Sequence, residues 1–365
     1  MVAGQWSLGV RHYVHLAIAP STRRSYQAGV RSYQSFCRAN GLDDSEAGAA
    51  DYICAEWFAS LGKEGRLHAR SIEGYRSAAG RWWADSELSD RANPFTSPPC
   101  IRVLKGIARE RAPIERAARN AAPTAISLTH QLLAELEPYA LVGPLAQPLA
   151  RMLWAAANLG VYGLLRPNEM LGSPTHRDRA LTPNQITFFA QPGSAVVQGL
   201  LPRGADFIAH PLPDRFLLDL GPTKADQLGT NPPLSIAARP AVQALWRWMH
   251  TRRDAGARGD TLLFRTADGP PLSCETLTTT VARWAQMLNG GPLPLVQGRT
   301  FRRGGASGLL ASGAAIPDIM AAGRWRGAAM VGVYLSAAAQ QERALLVSRE
   351  MGRHAQHGAG PRPRA

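Results

Sequence analysis

The chain has 365 residues, with 41 lysines and arginines against 27 aspartates and glutamates and a formal net charge of +14. That excess suits a polyanionic partner, nucleic acid or an acidic membrane face. A content of 45% hydrophobic and 19% charged residues describes a globular chain, long enough for two domains. No apolar run approaches the roughly 20 residues of a membrane span, and Arg11, His12 and His15 stand where a secretory leader would be apolar. The sequence holds no GxGxxG, Walker-type phosphate loop, HExxH or GxSxG, so nucleotide hydrolysis, zinc proteolysis and serine hydrolysis lack support. Cys37, Cys54, Cys100 and Cys274 form no CxxC pair. They read as buried thiols of a reducing compartment, not as a disulfide frame or metal site.

In chain order, residues 21–39 open with Ser21 and Thr22 and continue with Tyr26, Val30, Tyr33, Phe36 and Cys37. That spacing predicts an amphipathic helix ended by Asn40-Gly41. Residues 49–61 (Tyr52, Ile53, Trp57, Phe58, Leu61) and 70–84 (Ile72, Tyr75, Trp82, Trp83) repeat the pattern, and 99–111 give a fourth short, basic helix. Together, residues 1–111 read as a small all-α bundle. Residues 112–129, rich in Ala, Arg and Pro with little periodicity, read as a linker; Thr129 then caps a new helix. Residues 130–350 form a larger mixed domain. A long apolar helix covers 148–165. The short runs QITFFA, SAVVQGLL, DFIAHPL, RFLLDL and PPLSIA between 184 and 236 suggest a small antiparallel sheet. Helices return at 239–253, 273–289, 303–313 and 317–322, and from about 327 to 350. The tail, 351–365, reads as disordered. The fold class is mainly α with a small antiparallel β-sheet.

Four places hold unusual residues. Arg166 follows a long apolar run in GLLRPNE, where a guanidinium is expensive unless paired or used; Glu169 is its plausible partner. Lys224, in the turn GPTKADQ, joins Lys63 and Lys105 as the lysines of an arginine-rich chain, and an ammonium releases a proton where a guanidinium effectively cannot. Arg299 and Arg302, in QGRTFRRGGAS, stand at i and i+3 near a helix start, where guanidinium and free N–H groups suit a phosphate. Trp325 follows Gly323 in GRWRG, and Tyr334, with no other tyrosine after Tyr162, sits among small residues in VGVYLSAAA. Taken singly, each also fits an ordinary structural part: a helix-end arginine, a hairpin lysine, a solvated basic face, a core tryptophan, a half-buried tyrosine.

In the order Arg, Lys, Arg-x-x-Arg, Trp, Tyr, the sequence resembles the tyrosine recombinase (phage integrase) family, particularly members encoded by eukaryotic mobile elements. GLLRPNE resembles the family's first-arginine box, PTKADQLG its β-turn lysine motif, RTFRRGGAS its His-x-x-Arg box and GRWRGAAMVGVYL its His/Trp-then-Tyr segment. APSTRRSYQAGVRSYQSFCRANG is similar to the opening of its helical DNA core-binding domain, so the resemblance covers about residues 15–350. It implies a SAM-like helical core-binding domain before an α+β catalytic domain, and site-specific recombination or integration of DNA. Tyr334 would attack a backbone phosphate, Arg166 and Arg302 would grip its non-bridging oxygens, and Lys224 would protonate the departing 5′ oxygen. Trp325 would replace a second histidine, and Glu169 matches a supporting acidic position. The product would be a 3′-phosphotyrosine link and a free 5′ hydroxyl, religated without ATP, metal or other cofactor.

The sequence departs from the family's pattern at Arg299, which stands where the box begins with histidine and is a poor proton acceptor. A catalytically impaired or domesticated DNA-binding protein that keeps the fold is therefore the alternative to an active strand transferase, and a relaxing topoisomerase of similar mechanism is a third reading. Double-stranded DNA is the expected partner, with no membrane and no small-molecule substrate. Arg23, Arg24, Arg70, Arg76, Lys105, Arg109, Arg111, Arg303 and Arg326 are candidate DNA contacts, most of them to phosphates, which position without specifying. Relatives work as tetramers that exchange a C-terminal helix, and residues 337–350 are the candidate for it. The expected location is intracellular: the nucleus for a eukaryotic source, the cytoplasm or nucleoid for a bacterial or phage one.

Overall fold

The computed structural model describes residues 20–86, 91–121, 125–143, 145–172, 180–190, 196–199, 212–222, 226, 229–230 and 232–335. The chain divides into two units, Met1–Ala122 and Pro123–Ala365.

The first unit holds α1 (Pro20–Ala39), α2 (Asp51–Glu64), α3 (Ala69–Ala84) and α4 (Pro98–Ala121). Apolar residues at helical spacing give each helix one face to bury. Tyr33 and Cys37 from α1, Trp57 and Phe58 from α2, Ile72 and Trp83 from α3, and Cys100 and Ile107 from α4 meet in one core with Phe95. Tyr33 contacts Trp57 and Phe95 edge-on, at centroid distances of 5.3 and 5.0 Å. Gly41 ends α1 in left-handed backbone at φ +65°. Its N–H bonds the Arg38 carbonyl and the Leu42 N–H bonds that of Cys37, which closes a Schellman cap.

Helix α4 runs well past the expected 99–111 and takes up much of the 112–129 stretch read as linker, with Pro113 inside it. Two tertiary anchors account for the extension. Glu115 Oε1 accepts from the Ala69 N–H at 2.8 Å, and the Arg111 guanidinium donates to the carbonyls of Gly62, Gly65 and Leu67. The second half of α4 is thereby held against the α2–α3 connection, and its Ala, Arg and Glu content favours helix once held.

The second unit is built around α6 (Gln147–Tyr162), in which every residue from Met152 to Val161 is buried. A helix without a polar face belongs at a centre. It packs against α5 (His130–Leu141), α8 (Arg239–Asp254), α9 (Cys274–Asn289) and α10 (Gly298–Ala311). Thr129 caps α5 as its sequence suggests, its hydroxyl accepting from the Leu132 N–H at 3.2 Å. Strands β1 (Ile186–Phe189), β2 (Val196–Gln198), β3 (Arg215–Leu218) and β4 (Leu234–Ile236) form an antiparallel sheet in the order β2-β1-β3-β4. Phe188 pairs with Phe216, and Phe216 with Ile236. These alternate residues are buried, and Phe188 packs edge-on against Trp246 of α8 at 4.9 Å. Most of the DFIAHPL run lies outside the described residues. A single turn, α7 (Pro167–Leu171), follows α6, and α11 (Ile316–Gly323) and α12 (Ala328–Tyr334) end the described chain. The helix expected at 337–350 and the 351–365 tail lie outside the described residues.

Helix α10 begins at Gly298, ahead of the expected 303, because Gln297 caps it, its N–H donating to Thr300 Oγ1 at 2.9 Å. Gly304 and Gly305 then let α10 lie flush on its neighbours. A Cβ on Gly304 would stand 2.0 Å from the Leu128 carbonyl oxygen, and one on Gly305 2.2 Å from that of Val161. This close approach carries Arg302 to the end of α6.

Candidate active site

The end of α6 sets the position of Arg166. Leu164 takes a left-handed conformation at φ +48°. Its N–H bonds the Val161 carbonyl, and the Leu165 N–H bonds that of Gly160, so a Schellman cap forms with leucine where glycine is usual. Left-handed backbone costs an L-residue about 1 kcal/mol. Burial of the Leu164 side chain in a cluster with Ala306, Leu310, Ile319, Trp325 and Val331 offsets that cost. The cap turns the chain, so the apolar helix ends at Tyr162, short of the expected 165, and Arg166 directly precedes α7. Its backbone N–H donates to Glu169 Oε2 at 2.9 Å and its Nη1 to Glu169 Oε1 at 2.8 Å.

The end of α11 has the same construction. Arg324 lies at φ +55°, ψ +42°; its N–H bonds the Ala321 carbonyl, and the Trp325 N–H bonds that of Met320. Gly323 has no room for a side chain, since a Cβ would meet the Trp325 ring at 2.2 Å. The aromatic ring is thus folded back beside the helix end, and α12 brings Tyr334 to it, the two ring centroids 5.1 Å apart.

Three guanidinium groups converge on one carboxylate. Glu169 pairs with Arg166 at 2.8 Å, Arg302 at 3.4 Å and Arg324 at 3.5 Å. Arg302 is only 1% exposed. It donates to the Gly323 carbonyl and lies over the Trp325 and Tyr334 rings at 4.7 and 5.6 Å. Arg166 Nη2 donates to Tyr334 Oη at 3.3 Å. Burial pulls the Arg302 pKa down to about 10, against the opposing pull of Glu169 and with help from the charges of Arg166 and Arg324; the group stays protonated at neutral pH. Burial would lower Arg166 as well, but Glu169 and the Tyr334 hydroxyl outweigh it and raise its pKa. Arg302 Nε, Arg324 Nη1 and Trp325 Nε1 are buried without a hydrogen-bond partner among the described residues. All three are donors, so the site has surplus positive charge and surplus N–H groups, the chemistry that binds a phosphate.

The structure therefore brings together Arg166, Glu169, Arg302, Trp325 and Tyr334. Arg299 does not join them: it is exposed, and its Nε donates to Gln297 Oε1 at 2.9 Å. Lys224 lies outside the described residues. Arg326 is exposed and Arg303 half-buried. In the first unit Arg24, Arg70, Lys105 and Arg109 are exposed and Arg23 is half-buried. Arg76 pairs with Glu73 at 2.6 Å. Arg111, expected to contact DNA, instead has its guanidinium engaged by three backbone carbonyls. Sequence reasoning missed Arg324; the available signal was a charged residue directly after a helix end, where glycine is favoured. Among the described residues no helix is long and apolar enough to cross a membrane, and no group of three His, Cys, Asp or Glu residues is placed to hold a metal ion.

No protein-family model and no curated protein matches the sequence. Solved structures do match, and the XerH recombinase among them identifies the architecture as the tyrosine recombinase fold. The XerH site-specific recombinase, bound to a palindromic difH substrate in a post-cleavage complex, is 14% identical with a TM-score of 0.53, over 85% of this chain and 75% of its own. The Tn1549 transposon integrase in complex with transposon right end DNA is 14% identical (TM-score 0.47, 83% and 86% covered). A lambda integrase dimer bound to a COC′ core site is also 14% identical (TM-score 0.44, 89% and 92% covered).

Proposed function

We propose that this chain is a site-specific DNA recombinase or integrase that cleaves and rejoins strands through a 3′-phosphotyrosine intermediate. The observation that carries the reading is the Tyr334 hydroxyl, 3.3 Å from Arg166 Nη2 and beside a buried Arg302, in a site where guanidinium groups outnumber carboxylates. In-line attack of Tyr334 Oη on phosphorus makes one P–O bond and breaks the bond to the 5′ oxygen. The phenol proton leaves to solvent, and the 5′ oxygen takes up a proton from Lys224. Arg166 and Arg302 stabilise the charge that spreads over the non-bridging oxygens. The phosphodiester energy stays in the protein–DNA bond, so religation needs no nucleotide.

The net charge of +14 and the fold shared with XerH, whose structure is a post-cleavage complex with DNA, support the same reading. The first unit serves as DNA core-binding domain, with Arg24, Arg70, Lys105 and Arg109 as phosphate contacts, and the second as catalytic domain. Assembly is a homotetramer on DNA that exchanges the 337–350 segment, working in the nucleus or nucleoid.

The test uses a duplex selected from a randomised pool for binding to the full chain and then nicked at successive positions. Wild type is expected to form a denaturant-resistant covalent adduct, and Tyr334→Phe none; an adduct formed by Tyr334→Phe overturns the reading. The exposed Arg299, in place of a histidine, favours a second reading: a DNA-binding protein without the chemistry. That reading predicts salt-sensitive binding, no wild-type adduct, and a gain of adduct in Arg299→His.

A further inference from the structure

We propose that Arg324 is a third phosphate-binding residue of this site, aimed into it by the left-handed end of α11. The proposal rests on the strand-transfer reading and names a residue which that reading does not use. Three observations support it. The first is conformational. Gly41, Gly65 and Gly290 hold the left-handed position after α1, α2 and α9. At the end of α11 the position is filled by arginine at φ +55°, although glycine adopts that backbone without steric cost. Leu164, the other such residue among those described, gains apolar burial in return. A charged guanidinium gains none, so the strain at Arg324 points to a function for its side chain.

The second observation is the guanidinium's surroundings. Nη2 reaches Glu169 Oε2 at 3.5 Å, a long contact to an oxygen already shared with Arg302. Nη1 is buried with no partner among the described residues. Burial pulls the Arg324 pKa down and the charge of Arg166 adds to this, with Glu169 opposing. A buried cation with a spare donor, next to two others, is stabilised by an anion that accepts from all three. The third observation is Arg299, whose side chain is exposed and bonded to Gln297. The cation that reaches Glu169 beside Arg166 and Arg302 is instead Arg324, from the segment carrying Trp325.

Arg324→Gly removes the guanidinium and suits the backbone; Arg324→Lys keeps the charge and loses the two-pronged donor. Both are compared with wild type, as full chains, for thermal midpoint, for the rise in that midpoint on adding inorganic phosphate or orthovanadate, and for adduct formation on the nicked duplex. The glycine variant is expected to melt no lower than wild type, to lose most of the anion-induced rise, and to form adduct about 100-fold more slowly; the lysine variant falls between. An unchanged anion-induced rise in Arg324→Gly, with adduct formation within about threefold of wild type, overturns the proposal and leaves the strand-transfer reading standing. If wild type forms no adduct, that reading fails, and the anion-induced rise alone decides Arg324. Loss of the rise in Arg324→Gly supports the proposal; persistence there, or absence of any rise in wild type, overturns it.

Discussion

In the first unit Arg111 donates to three backbone carbonyls and Arg76 pairs with Glu73, while Arg24 and Arg70 face water. In the second unit Arg166, Arg302 and Arg324 crowd a single carboxylate with donors left over. Burial alone does not mark the difference. Arg252 is 4% exposed, yet its terminal nitrogens reach the Arg265 and Leu262 carbonyls and Thr261 Oγ1 with no carboxylate needed, and only its Nε lacks a partner among the described residues. The terminal nitrogens of Arg111 and Arg252 are matched by neutral oxygens of the fold, whereas three guanidiniums share the single carboxylate of Glu169 and one terminal nitrogen, Arg324 Nη1, is left over among the described residues. That mismatch distinguishes a site from a structural arginine.

The largest expected effect lies at the most deeply buried of the three arginines. Arg302→Lys should slow adduct formation by about 100- to 1000-fold while DNA affinity, read by gel shift, changes far less. A loss confined to affinity would place Arg302 with the exposed arginines and erase the contrast. Glu169→Gln keeps the shape and removes the one negative charge that three guanidiniums share. It should cost about 3 kcal/mol in a urea titration, with partial recovery in phosphate. An unchanged midpoint would mean that the three arginines are not coupled through Glu169.

Arg111→Ala probes the other kind of arginine. Loss of its carbonyl contacts should cost about 1 kcal/mol of stability, with adduct formation at saturating DNA unchanged. Arg24→Ala should have the smallest effect. It should leave stability within about 0.5 kcal/mol and reduce the salt slope of DNA binding by about 1 if Arg24 meets a phosphate.

The N-terminal helices were legible because their signals are local. Apolar spacing along α1 to α3 set the buried faces, and Asn40-Gly41 and Thr129 marked ends that the backbone then uses. The full extent of α4 was not legible, because Arg111 and Glu115 hold it through bonds to residues far along the chain. Arg299 and Arg302 share one motif and i, i+3 spacing, yet one is exposed and the other buried. The choice depends on Gly304 and Gly305 meeting Leu128 and Val161, which spacing does not encode.

The sequence by itself determined the residue types and their order: an arginine with a glutamate three residues on, a second arginine before a glycine pair, then tryptophan and tyrosine. It also determined the positive charge and the mainly helical class with its small antiparallel sheet. The tertiary structure alone decided that Glu169 is the centre of the cluster and that Tyr334 meets an arginine 168 residues away. It alone decided that Leu164 and Arg324 adopt left-handed backbone against their own preference. Local propensity acts over a few residues, whereas the partners and burial of a guanidinium are set by which distant segments pack around it. The features that make this a site, strained helix ends and unmatched donors, arise only once those segments have met.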